Sequence, residues 1–264
     1  MSYPINYPTP QGANVQVFYS NATNNVTSRH KQTWIKPQGA SFVYFSLIGP
    51  GGDGGDATSD GTATANGGGG GSGGVAHCLV PAFFIPDQLQ VQVGGTVTEI
   101  YYQQKDGAGY ALFGVSGGTN GDAATAAAGV PQDALGGTGG GALTSFVVTA
   151  LGFYDAAFGQ SGANGGAAST LPTGTFLIGG VGGGGTSLTT GHYGYTVGTN
   201  GQGYGVITPI INSIANRDAN GVGSATDYSK YAGFGCGGNG ATASTNTTRY
   251  GLQGGPGLAV IISW

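Results

Sequence analysis

The stretch Trp34-Ile-Lys-Pro-Gln-Gly-Ala-Ser-Phe-Val-Tyr-Phe-Ser-Leu-Ile-Gly-Pro-Gly-Gly-Asp-Gly-Gly55 decides the fold class. Phe42 to Ile48 is seven residues of β-branched, aromatic and aliphatic character, bounded by Gly39 and by Gly49-Pro50. That is a strand by length, composition and punctuation. Its alternate sets, Phe42/Tyr44/Ser46/Ile48 and Val43/Phe45/Leu47, are both largely apolar, so a central position with both faces covered is expected. Pro37 stops a helix from running in. After Ile48 the chain passes abruptly into glycine.

Outward from this stretch the same grammar repeats: a short β-rich run, a glycine-rich excursion, another run. Residues 14–19 alternate as a strand, and residues 31–35 are expected to pair with the central strand through the Lys36-Pro-Gln-Gly turn. Residues 78–85 and 89–93 read as strands around Pro86-Asp87. The second sets Leu89, Val91 and Val93 against a wet face of Gln88, Gln90 and Gln92. Further strands are expected at 99–103, 110–115, 145–151, 175–178 and 258–264, the last tying the chain's end into a sheet. Ala123 to Ala128 is at most one helical turn. Thr208-Pro-Ile-Ile-Asn-Ser-Ile-Ala215 reads as a short helix, with Thr208 at the cap and Pro209 in the first position. Residues 1–11 form a proline-rich extended arm suited to lying on a neighbour.

The expected fold is therefore all-β: a jelly-roll-like β-sandwich with long ordered glycine-rich loops and one short helix. Residues 1–33 hold the arm and first strands, and 34–264 a glycine-rich β domain.

Glycine accounts for 58 of 264 residues, about three times the usual ~7%. Charged residues are only 7%, against roughly 25% in an ordinary domain. Such a surface is neutral, or covered by neighbours. Each ordered residue costs roughly 1–2 kcal/mol of backbone entropy, and glycine more than most. Ordered glycines must be held by interleaved strands, by close backbone packing that only a residue lacking Cβ permits, or by surrounding subunits. No regular Gly-X-Y run with proline indicates collagen.

The net charge of −4 and the scattered basic residues argue against nucleic acid as a partner. No apolar run approaches 18 residues and no leader-like segment opens the sequence, so no membrane span is expected. Cys78 and Cys236 read as two small buried thiols or as a long-range disulfide.

Several strings have the letters of a functional motif without its context. Gly49-Pro-Gly-Gly-Asp-Gly54 spells G-x-G-x-x-G after a strand, yet no helical period follows to receive a pyrophosphate. Gly51-Gly-Asp-Gly-Gly-Asp56 with Asp60 matches one copy of a calcium nonapeptide, an architecture that requires tandem copies. A single calcium ion on Asp53, Asp56 and Asp60 is the corresponding site expectation. Ser72 and Ser116 both sit in G-x-S-x-G strings that lack the strand-to-helix elbow. His77-Cys78 has no partners at ligand spacing. The cluster His192, Tyr193, Tyr195 and Tyr204 is different in kind, because tyrosines on a glycine scaffold present a stiff contact surface.

The order of these signals resembles the glycine-rich domain of phage tail fibres and related virion surface proteins. The residues that carry the resemblance are Trp34, Pro37, Gly39 and the strand into Gly49 to Gly55; Val93-Gly94-Gly95; Leu112 to Gly118; and Gly255-Pro-Gly257 running into Trp264. Residues 150–250 depart from that pattern. The resemblance implies a non-enzymatic virion protein, a fibre tip or capsid-surface component, with other virion proteins as partners. It also implies host attachment to a surface glycan or protein. Low charge and the arm suggest a homo-oligomer, a trimer by closed symmetry. His192, Tyr193, Tyr195 and Tyr204, in the loop 190–204, are the expected receptor contacts. Two rival classes are an ice- or surface-binding protein, which needs glycine at regular three-residue spacing that the linear sequence does not display, and a hydrolase, which needs a convergent acid/base set.

Overall fold

The computed structural model describes residues 12–19, 30–103, 109–144, 153–159, 161–162, 164–165, 234–235, 237–238, 240–243, 246–251 and 253–264. The expected arm, the strands at 145–151 and 175–178, the helix at 208–215, Cys236 and the four aromatic site residues lie outside the described residues.

Along the chain the strands are β1 (Asn14–Tyr19), β2 (His30–Ile35), β3 (Phe42–Ile48), β4 (Ala57–Ser59), β5 (Ala65–Asn66) and β6 (Val75–Pro81), followed by a 3-10 turn (Ala82–Phe84). Then come β7 (Gln88–Gly94), β8 (Val97–Gln103), β9 (Gly109–Ser116), β10 (Ala124–Ala126), β11 (Gln132–Asp133) and β12 (Ala142–Thr144). The remaining strands are β13 (Phe153–Ala157), β14 (Thr242–Ala243), β15 (Thr247–Arg249) and β16 (Leu258–Ser263).

The fold is all-β, and its larger part is a β-sandwich. One antiparallel sheet is ordered β1-β16-β3-β6-β13 and the other β12-β9-β8-β7-β2. Trp34 of β2 meets Phe45 of β3 edge-on at 6.1 Å, and Phe45 meets Phe113 of β9 at 5.2 Å, so the two sheets share one core. Burying side chains of this size contributes about 1.5–3 kcal/mol each. β3 is central, between β16 and β6, and buries both faces: Val43, Phe45 and Leu47 toward the second sheet, Ile48 with Val75, Leu258, Val260 and Ile262 on the other.

Four local expectations need correction. β2 pairs with β7, Trp34 opposite Leu89, and not with β3. Gly39, at φ +80°, lies in the connection that carries the chain across to the other sheet. The run 78–85 is split, because β6 ends at Pro81 and the 3-10 turn follows. Gln92 is buried, whereas Gln88 is exposed, so the second face of β7 is only partly wet. Ala124–Ala126 is a strand, paired in parallel with β4, where a helical turn was expected.

The long glycine-rich segments among the described residues are regularly bonded. Gly49, Gly52 and Gly55 donate to the carbonyls of Gly74, Gly71 and Gly68. Gly68, Gly71 and Gly74 donate in turn to Asp122, Thr119 and Ser116, and Gly67, Gly70 and Gly73 to Ala241, Gly238 and Gly235. Every bond recurs at three residues and leaves its own segment. That is the signature of extended helices of the polyproline-II type, which have three residues per turn and no internal bonds. The segments 49–56, 67–74, 116–123 and 134–141, with the described parts of 158–165, 234–241 and 250–257, thus pack side by side as a lattice.

Segment 67–74 is its axis. It exchanges hydrogen bonds with four neighbours, and a fifth abuts it, since a Cβ on Gly162 would overlap the Gly69 carbonyl. Its glycines leave no room for a side chain: a Cβ on Gly70 would strike the Gly52 carbonyl, and one on Gly71 the Thr138 carbonyl. Its single non-glycine, Ser72, is fully buried.

Beyond the lattice, two three-stranded sheets, β10-β4-β15 and β11-β5-β14, close the distal end. Their shared core is Ala57, Ala65, Ala124, Ala126, Ala241 and Ala243. Alanine is the only apolar residue type in this core, and the polar Ser59 and Asn66 are buried in the same strands. Eight residues at about 3.1 Å each put roughly 25 Å of lattice between sandwich and cap.

Candidate functional site

The distal turns are stitched to each other. The carboxylate of Asp60 accepts from the Thr62 amide at 2.9 Å and from the Thr62 hydroxyl at 2.5 Å on one oxygen, and from the Ala128 amide at 2.7 Å on the other. The Thr62 hydroxyl accepts from Gly129 at 2.8 Å. These bonds hold Ala128 at φ +54°, a left-handed position uncommon for a residue with a Cβ. The hydrogen bonds from Thr62, side chain first, and from Ala128 hold the Asp60 carboxyl below its ordinary value.

Asp53 and Asp56 do a related task inside the lattice. The Gly254 amide donates to Asp53 Oδ1 at 2.8 Å and the Gly251 amide to Asp56 Oδ1 at 2.9 Å. Two amides of segment 250–257 are thereby fastened by side chains, while its Gly255 and Pro256 carbonyls accept from the Gly51 and Gly235 amides. Burial pushes the Asp53 carboxyl up, Asp56 adds to the rise, and the Gly254 bond opposes both. The three aspartates therefore serve separate backbone amides. Among the described residues no group of three or more His, Cys, Asp or Glu is placed to hold a metal ion.

The flank of the lattice follows from its period. With two positions in three facing neighbouring segments, exposed side chains return every third residue. Thr119 and Asp122 emerge from one segment, Leu135 and Thr138 from the next, and Phe158, Ser161 and Asn164 from a third. The Thr119 and Thr138 hydroxyls meet at 3.1 Å, and the Thr138 amide donates to Thr119 Oγ1 at 2.7 Å. Asn164 Oδ1 accepts from the Gly136 amide at 3.0 Å, and Asn120 Oδ1 from the Asp53 amide at 2.8 Å. Their outward polar side chains are thus fixed in position by the backbone they sit on. The sequence reading missed this surface, because the three-residue phase restarts at each segment and looks irregular when counted straight through. Read segment by segment, 49/52/55, 68/71/74, 159/162/165 and 251/254/257 all keep the period.

The nucleophile candidates sit in unreactive surroundings. The Ser72 string runs through the lattice axis. Ser116 Oγ accepts from the Gly141 amide at 2.7 Å and reaches its carbonyl at 3.2 Å. The Cys78 thiol is buried in the sandwich core and pushed up to about 12 by that burial, far from the thiolate a nucleophile needs. His77 is lowered by burial, with Asp155 opposing, and its Nδ1 lies 3.1 Å from the Tyr44 hydroxyl. The G-x-G-x-x-G string continues as lattice into β4, with no helix to receive a phosphate.

Of the expected site residues, Asp53, Asp56 and Asp60 are thus placed, while His192, Tyr193, Tyr195 and Tyr204 fall outside the described residues. No family model matches the chain, and no curated protein matches it.

Proposed function

We propose that this is a non-enzymatic recognition protein of a virion, a fibre-tip or capsid-surface component that takes part in host attachment, working as a homo-oligomer with other virion proteins. The observation that supports this reading is the lattice. It is a stiff spacer of backbone that separates an apolar sandwich from distal turns and displays fixed side chains at every third residue. Recognition is usually carried by loops on a rigid scaffold, and the stretch containing His192, Tyr193, Tyr195 and Tyr204 joins segments 158–165 and 234–241 of that scaffold. Exposed tyrosines there would stack on sugar faces, with Thr and Asn bonding hydroxyls.

The test has two arms. Antibody to the chain should label purified particles at a tip or vertex, and excess soluble chain should reduce particle adsorption to host cells. Unlabelled particles, or adsorption unchanged by the chain, would refute the proposal.

One observation favours the second reading, a surface- or ice-binding protein: the three-residue glycine spacing is present after all, with Thr119 and Thr138 paired on an outer face. Measurable thermal hysteresis in solutions of the purified chain would select it over attachment.

A further inference from the structure

The end of the sandwich remote from the lattice carries four aromatic rings. Phe83 is 77% exposed, Phe84 43% and Phe42 41%, with Trp264 half-buried beside them and Ile35 67% exposed on the neighbouring strand end. Phe42 stacks on Trp264 with centroids 6.0 Å apart, and Phe83 lies against Phe84 at 3.8 Å. One framework holds them. The Ser41 and Phe42 amides donate to the Trp264 carbonyl, the Trp264 amide donates to Phe42, and the Ala82 amide donates to Ser41. The Lys36 ammonium clamps the turn from below, bonding the Ala82 and Ile85 carbonyls at 3.0 and 2.9 Å and the Asp87 carboxylate at 2.8 Å. A fixed aromatic surface of this kind marks an interaction site. Among the described side chains beside it, Lys36 and Asp87 pair with each other.

The chain supplies a matching segment next to it. β1 starts at Asn14 opposite Ser263, so Gly12, at φ +87°, lies at this same end, and eleven residues precede it in the sequence. They read Met-Ser-Tyr-Pro-Ile-Asn-Tyr-Pro-Thr-Pro-Gln: three prolines, two tyrosines and no charge. Proline-rich segments are recognised by aromatic-lined surfaces, because their extended form is already low in entropy. Eleven residues at about 3.1 Å reach roughly 34 Å, more than the roughly 14 Å that spans the three strand spacings from β1 to β6.

We propose that the surface formed by Phe42, Phe83, Phe84 and Trp264 is the seat of the proline-rich arm, residues 3–10, of a second copy of this chain. The second copy is favoured because Val15, Val17 and Tyr19 are also exposed, a row along the edge strand β1 that starts beside the root of the arm and runs toward the lattice. An exchanged arm brings the neighbour's body against that row, whereas an arm folded back on its own sandwich leaves it bare. This inference rests on the homo-oligomer part of the function proposed above. It is tested on the isolated chain, so its failure leaves the attachment test on particles unaffected.

The experiment places the photo-crosslinking residue benzoylphenylalanine at position 7, in place of Tyr7, in the full-length chain. Irradiation should give covalent dimers on a denaturing gel, with the crosslink mapped to the peptide carrying residues 82–84 or to Trp264. Phe83→Ser with Phe84→Ser should lower the dimer yield at least tenfold while leaving the melting temperature near that of the parent. Tyr3→Ser, which touches only the arm, should lower it without any effect on folding. Crosslinks confined within one chain would show that the arm seats on its own sandwich. Such a result, crosslinks elsewhere, or no crosslink at all would each overturn the proposal.

Discussion

The sandwich and the glycine lattice solve the same problem with opposite materials. In the sandwich the backbone bonds only within each sheet, and side chains fill the space between, as with Trp34, Phe45 and Phe113. In the lattice the backbone bonds in several directions at once, and side chains are expelled to every third outward position. The first tolerates exchange of one apolar side chain for another of similar volume. The second has no volume to exchange. A single carbon in the lattice and a whole ring in the sandwich should therefore carry comparable weight.

The largest loss is expected in the sandwich from Phe45→Ala, about 3–5 kcal/mol by denaturant titration, since Phe45 bridges both sheets. Gly71→Ala should follow closely, at about 3 kcal/mol, the upper end for overpacking, because its new Cβ meets the carbonyl of Thr138 and not a side chain that can swing away. A loss below about 1 kcal/mol for Gly71→Ala would mean that the lattice breathes, and the contrast would collapse.

The acid range separates the lattice aspartate Asp53 from Asp60 of the distal turns. Asp53 has its folded value raised, so the native state binds more protons than the unfolded chain and stability falls as pH rises from the ordinary value of 3.8 through the raised one. Asp60 has its value lowered, so its contribution is present above 3.8 and is lost as pH falls through the folded value. Melting temperatures taken from pH 3 to 6 should rise more steeply with pH in Asp53→Asn than in the parent, and less steeply in Asp60→Asn. Equal slopes in all three would show that neither carboxylate is coupled to folding.

The smallest change is expected at Thr138→Ala, an exposed lattice residue, with stability altered by under about 0.5 kcal/mol. Its value lies in the attachment assay. A clear drop in adsorption by this variant would move recognition from the stretch containing His192, Tyr193, Tyr195 and Tyr204 onto the flank.

The sandwich was legible in the sequence and the lattice was not, for the same physical reason. β1, β3 and β16 announce themselves through side chains whose period and bounding glycines can be counted, and β3 is found at 42–48 as expected, with both faces buried. Partners are less local. Nothing in Lys36-Pro-Gln-Gly distinguishes a hairpin from a crossing between sheets, so β2 was assigned to the wrong neighbour. The short strand Ala124–Ala126 forms only because β4 lies beside it, far away in sequence. In the lattice the information is carried by what is missing: Gly71 has no side chain to show that it faces Thr138, and its neighbours Gly68 and Gly74 are as silent. The amide bonds of Asp53, Asp56 and Asp60 are hidden for a similar reason, since an acceptor aimed at a backbone amide and one aimed at a cation have the same sequence.

β16 lies between β1 and β3, and segment 250–257 is bolted on by Asp53 and Asp56. During synthesis the first sheet stands open, with one edge of β1 and one edge of β3 unpaired, until residues 258–263 have emerged roughly two hundred positions later. Nearly all lattice bonds likewise join residues far apart in sequence, which slows folding. The ribosome thus delivers a chain that has little to gain from partial order, and a chain cut before residue 250 should lack the strand that joins β1 to β3, fit for degradation and not for assembly.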